Sequence, residues 1–177
     1  MDYSSRDDFR PGKLKTLKID PKQKVATIAL KEMIGYMGDG GDETCFWGIR
    51  LENEKCEEIA CFENDSSDFR DGICRWVYKD VPEGQVIVGV QVGERKGLPL
   101  ISRIGFRMAT LDSDEKAVAK PFIPTEITDH IEFGDKLYIC NETWDNLKAF
   151  KKPSKLIGIK VQHDDEGNPL HGIQLLF

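Results

Sequence analysis

The sequence predicts an all-β fold, and three observations carry that prediction. Short runs of alternating apolar residues recur along the chain, among them Ile157/Ile159/Val161 and Ile173/Leu175/Phe177, with the period of half-buried strands. Gly, Pro, Asp and Asn clusters interrupt these runs at intervals of roughly 8 to 12 residues, the rhythm of sandwiches, barrels and prisms. The one stretch with helical propensity, Ala117-Val118-Ala119, is cut short by Pro121 and Pro124, which cannot continue a helix.

Taken in order, residues 1–12 are polar and charged and end in Arg10-Pro11-Gly12, so they read as a flexible amino-terminal tail. Residues 13–177 read as one domain. Leu14/Leu17/Ile19 and Val25/Ile28/Leu30 flank Asp20-Pro21-Lys22, and that turn signal predicts a first hairpin from Leu14 to Leu30. Ile34 to Leu51 then forms a second, with Gly38-Asp39-Gly40-Gly41-Asp42 in its loop. Ile59/Cys61 make a short strand, and Asp71-Gly72 precede another from Ile73 to Tyr78. Val88/Val90/Val92 and Ile104/Phe106/Met108 flank GERKGLP as a long hairpin. Ile127 to Phe133 and Lys136 to Cys140 bracket Gly134-Asp135 as a further one, closed by a turn at Asn141 to Trp144. The last hairpin, Leu156 to Phe177, turns through a loop rich in Asp, Gly, Asn and Pro.

Three of these hairpins share a layout. Gly89 precedes Ile104 by the same separation as Gly158 precedes Ile173, and Gly35 precedes Ile49 by one residue less. Each ribbon presents one apolar face. A ribbon alone is marginal, but three can bury those faces against one another, with intervening strands widening each into a small sheet. The expected architecture is therefore about a dozen strands in three small sheets, a β-prism-like domain with pseudo-threefold symmetry. A glycine recurring inside a strand signals a bulge or a close backbone approach.

Composition narrows the function classes. The chain is 40% hydrophobic and 32% charged, as soluble globular proteins are, and no apolar run approaches the roughly 18 residues of a membrane span. A net charge of −6 opposes a phosphate backbone, and the basic stretches Lys13/Lys15/Lys18 and Lys148/Lys151/Lys152/Lys155 lack interleaved aromatics, so nucleic acid is not the expected partner. The five cysteines have no CxxC spacing, which predicts reduced thiols and no zinc site. With no basic, apolar leader at the amino terminus, the expected location is cytoplasmic. Three histidines, His130, His163 and His171, stand without a GxSxG, P-loop, HExxH or strand-following GxGxxG motif, so no enzymatic activity, catalytic residue, metal or cofactor is expected.

The final hairpin resembles the carboxy-terminal hairpin of jacalin-related lectins, the β-prism I family. Ile157-Gly158-Ile159, the loop Gly167-Asn168-Pro169-Leu170-His171 and the return Gly172-Ile173-Gln174-Leu175 are similar to that family's aliphatic-Gly-Phe strand, G-x-x-x-D loop and return strand. The resemblance implies a sugar site in which loop amides and the Asp carboxylate hold adjacent hydroxyls. Here that Asp position is His171, with Ser102 and Trp47 in the other two hairpins. The candidate ligand-binding residues are therefore Asp164, Asp165, Gly167, Asn168 and His171, with Asp39 and Asp42 as a second source of carboxylates. A glycan is the first expected ligand. The alternative is a protein partner, the domain being an oligomer or a subunit of a larger assembly that uses the fold without binding sugar.

Overall fold

The computed structural model describes residues 13–34, 44–64, 73–95, 101–110, 126–127, 131–134, 139–146, 155–163 and 169–177. These form twelve strands: β1 (Lys13–Lys18), β2 (Thr27–Ile34), β3 (Thr44–Glu52), β4 (Glu58–Glu63), β5 (Ile73–Asp80), β6 (Gln85–Arg95), β7 (Ile101–Thr110), β8 (Glu126–Ile127), β9 (Ile131–Gly134), β10 (Ile139–Asn146), β11 (Gly158–His163) and β12 (Gly172–Leu176). No helix long and apolar enough to cross a membrane occurs among the described residues. The all-β expectation holds.

The strands assemble into three antiparallel sheets. Sheet I has the order β4-β3-β2-β5, sheet II the order β10-β6-β7 with β8 and β9 both on the far side of β7, and sheet III the order β1-β11-β12. Sheet I is a Greek key, in which three consecutive strands are followed by a fourth that returns beside the first. Sheet II repeats that order, with β8 and β9 lying along successive parts of β7. Sheet III repeats three positions of it, and its return position is filled from the other end of the chain, by β1 against β11.

All three sheets contribute to one core. Ile28, Leu30, Phe46, Ile49 and Leu51 from sheet I meet Val90, Val92, Ile101, Ile104, Phe106 and Met108 from sheet II and Ile159, Val161, Leu170, Ile173 and Leu175 from sheet III. Bulges keep these side chains inward. Opposite Lys31 and Glu32, β3 carries one extra residue, Trp47. This lets Phe46 share the core face with Ile49 and Leu51, at a spacing that regular alternation forbids. Trp47 then points the other way, into a small second cluster with Met33 and Cys45. Val88 is the extra residue of β6 and Ser102 that of β7, with the same consequence for Ile87 and Val90 and for Ile101 and Ile104.

Several pairings differ from expectation. Leu14 to Leu30 is not a hairpin: β1 pairs with β11, and β2 lies between β3 and β5. The turn itself exists, for the Asp20 carboxylate accepts from the Lys22 amide at 2.9 Å and the Asp20 carbonyl from the Gln23 amide at 2.9 Å. A turn signal reports a change of direction and leaves the pairing partner open. In the first repeat the return strand is placed correctly, but its outgoing strand is Thr27–Ile34, so the strand ends where the spacing argument began it. Among the described residues of Ile127 to Phe133 and Lys136 to Cys140 the expected hairpin is not seen either, because β9 binds β7 while β10 binds β6. Asn141 to Trp144, expected as a turn, lies inside β10.

Candidate functional site

The three return strands begin at one place. Phe46, Ile101 and Leu170 each stand three residues before the recurring isoleucine of their strand, Ile49, Ile104 and Ile173, and all three are fully buried. The Leu170 amide donates to the Phe46 carbonyl at 2.7 Å, and the Ile101 amide donates to the Leu170 carbonyl at 3.4 Å. One residue between the last hairpin loop and β12 is thus tied by its main chain to sheets I and II. The hairpin connections 35–43, 96–100 and 164–168 therefore all leave from this end of the core.

The next residue in each unit is Trp47, Ser102 and His171, the three that occupy the Asp position of the lectin resemblance. Trp47 and Ser102 are the extra residues of their bulges. His171 is irregular in a related way: its amide donates to the Gln162 carbonyl at 2.9 Å, although the ladder sets Gln162 opposite Gly172. At 5% exposure the His171 imidazole is a packed residue, not one displayed to solvent. Asp39, Asp42, Asp164, Asp165, Gly167 and Asn168 lie outside the described residues.

Charged groups around the same end are paired across the strands of their own sheets. Glu32, on the core-facing side of β2, is buried and accepts from Arg75 at 3.3 Å on the neighbouring β5. Lys31 binds Glu63, and Arg103 binds Glu132. The His163 ring lies 4.7 Å from the Phe62 ring, joining sheets III and I. Gly134 has φ of 90°, and a Cβ there would strike the Ser102 carbonyl and approach the Phe46 ring at 2.9 Å. That close approach admits only glycine. Among the described groups this is a rim of ion pairs around an apolar core.

At the opposite end, Ile19, Pro21, Val25, Val86, Ile87 and Leu156 wall a shallow open cleft with Gln23 and Lys155 at its polar edge. Sequence reasoning missed both this cleft and the junction of Phe46, Ile101 and Leu170. The junction had a readable signal, an apolar residue three places before each recurring isoleucine. The cleft had none, since it depends on bringing β1 beside β6.

The thiols divide by environment. Cys45 is buried, Cys61 half-buried and Cys56 exposed, all three free, and Cys56 holds the left-handed position of its turn with φ of 60°. Burial pushes the Cys45 thiol up to about 12. Burial, with Glu58 nearby, also raises that of Cys61. A scan against protein-family models finds no match, and a search of curated proteins finds none either.

Proposed function

We propose that this chain is a non-enzymatic binding domain, a β-prism of three sheets related by pseudo-threefold symmetry, whose ligand is held by the hairpin loops at the end closed by Phe46, Ile101 and Leu170. The single observation that carries this reading is the main-chain junction at Leu170, which brings the roots of three loops to one end. The repeated strand order and the matching Phe46/Ile101/Leu170 positions support the prism. Asp39, Asp42, Asp164 and Asp165 in two of those loops supply carboxylates, each able to accept from adjacent hydroxyls of a sugar. A glycan is accordingly the proposed ligand. The test is a glycan array probed with the full chain. Saturable binding that weakens at least tenfold in Asp164→Ala supports the reading, and an array without any binding overturns it.

A second reading has its own observation. The residue at the lectin-type Asp position, His171, is buried, while Leu14, Tyr78 and Ile157 are exposed at 63%, 52% and 46%. In this reading the domain is a structural subunit that binds protein instead of sugar, in a reducing compartment such as the cytoplasm, where free thiols persist. Gel filtration of a gentle native extract discriminates the two. A large assembly that dissociates in Tyr78→Ser supports the subunit, and a free monomer of about 20 kDa refutes it.

A further inference from the structure

The pairing of β1 with β11 gathers cations that the sequence keeps far apart. Lys13, Lys15 and Lys18 lie on β1, and Lys160 lies on β11 opposite Thr16. Lys18 and Lys160 are therefore diagonal neighbours on one face of the sheet, with Cβ atoms about 7 to 8 Å apart. Lys155, the last residue of the second basic stretch, stands three residues before Gly158, the partner of Lys18, and lines the same cleft as Ile19.

Charge sets this sheet apart from the other two. The strands of sheet III read KLKTLK, GIKVQH and GIQLL and carry no carboxylate. Every strand of sheet I carries Asp or Glu, as does every strand of sheet II except β7. A sheet of lysines in a chain of net charge −6 concentrates positive potential on one side, and such a local field attracts anions whatever the net charge. The turn after β1 adds Asp20 and Lys22, one charge of each sign. Asp164, Asp165 and Glu166 follow His163 in the sequence and lie outside the described residues, so Lys18 and Lys160 are the cations on which the reading rests.

The same face is also apolar in part. Leu17, Ile159 and Val161 are buried in the core, so alternation turns Leu14, Thr16 and Lys18 of β1 and Lys160 of β11 outward. Among the described residues three large hydrophobics are exposed, and two of them belong to this sheet or its border: Leu14 at 63% and Ile157, directly before β11, at 46%. Lysines beside exposed aliphatics fit a partner that offers negative charge above and hydrocarbon below. The lysine stems cover apolar surface while their ammonium groups stay among the headgroups. A nucleic acid fits less well, because the strands of sheet III carry no Phe, Tyr or Trp to stack on a base.

We propose that the outer face of sheet III is a docking surface for an anionic phospholipid bilayer. Lys18 and Lys160 meet the headgroup phosphates and carboxylates, and Leu14 enters the boundary between headgroups and acyl chains, with Ile157 at the border of the contact. The protein lies on the membrane and does not cross it. This inference does not rest on a ligand at the loop end, and the loops keep their own binding role whether or not the sheet meets lipid.

The test is flotation of the full chain with vesicles of phosphatidylcholine containing about 30% phosphatidylserine, compared with vesicles of phosphatidylcholine alone. The protein should float with the anionic vesicles, stay behind with the neutral ones, and detach as salt rises from about 0.1 to about 0.5 M. Lys18→Gln and Lys160→Gln should each weaken binding about fivefold, the worth of one lysine near such a surface. Leu14→Ser should weaken it at least as much, because its apolar contact is lost. Lys55→Gln, in the turn between β3 and β4, should leave it unchanged. No flotation with either vesicle, or equal flotation with both, overturns the proposal. So does anionic-vesicle binding that ignores Lys18 and Lys160. Sensitivity to the lysines without sensitivity to Leu14, or retention on heparin or single-stranded DNA without flotation, assigns the face to a soluble polyanion and equally overturns it.

Discussion

Replacing Leu170 by alanine tests whether one residue locks the three sheets together. The side chain is 0% exposed and belongs to the core cluster that includes Phe46, Ile101 and Ile104. Its main chain bonds both neighbouring sheets, so the walls around the vacated space are tied in place and can collapse only slightly. Leucine-to-alanine changes span about 2.7 to 5.0 kcal/mol, with the upper values found where the site cannot relax. A loss of about 4 kcal/mol is therefore expected. For a chain of this size each kcal/mol lowers Tm by roughly 2 to 4 °C, so the midpoint should fall by about 8 to 16 °C. Urea unfolding followed by tryptophan fluorescence measures the loss, and Leu14→Ala, at a position 63% exposed, provides a control expected to change stability by less than about 0.5 kcal/mol. A loss below about 1 kcal/mol for Leu170→Ala would refute the reasoning, because it would mean that the sheets do not close over a common core at this end.

Three further predictions concern glycine and thiol positions. A Cβ at Gly48 would lie 2.8 Å from the Phe62 carbonyl oxygen and 2.9 Å from the Trp76 ring, so Gly48→Ala should lose about 1 to 3 kcal/mol in the same urea assay. An unchanged midpoint would count against the pairing of β3 with β4. The buried Cys45 keeps its proton up to about pH 12 where an ordinary thiol releases it near 9.0. Above pH 9 the unfolded chain holds fewer protons than the folded one, so the Cys45 contribution is fully present below pH 9 and is lost as pH rises toward 12, by about 1.4 kcal/mol per pH unit. The native protein should lose more stability over that window than Cys45→Ala, and parallel curves would contradict it. At pH 8, iodoacetamide should label the exposed Cys56 well before Cys45, since the thiolate is the reactive form.

The alternating apolar residues made the strands legible because burial on one face leaves a period of two in the sequence. The return strands could even be aligned, since Ile49, Ile104 and Ile173 occupy equivalent places in their ladders. The outgoing strand of the first unit was not legible. Its Thr27 stands three residues before Leu30, where Gly89 and Gly158 precede Val92 and Val161, so an alignment on glycine falls on Gly35, just past the strand. Pairing partners were the other failure. Asp20-Pro21 marks a real turn, yet β1 finds its neighbour at the far end of the chain, and no local pattern encodes such a contact. At the candidate site, His171 fell in a loop-like context beside Pro169 and Gly172. Its burial comes from Leu170 being drawn under sheets I and II, a long-range effect that spacing alone does not register.

The joining of β1 to β11 also sets an order for folding. Sheets I and II are each made from consecutive stretches of chain, whereas Lys13 meets His163 in sheet III. On a ribosome adding roughly 5 to 20 residues per second, β1 emerges first and then waits several seconds for its neighbour, while sheet I already has all its strands. Contacts between such distant segments slow the closing step. Until β11 and β12 arrive, the apolar faces of sheets I and II lack their third wall, and this interval is when a nascent chain most needs protection from its neighbours. The carboxy-terminal hairpin thus acts as the last step of assembly, and damage to it should show first as poor recovery of folded protein during synthesis.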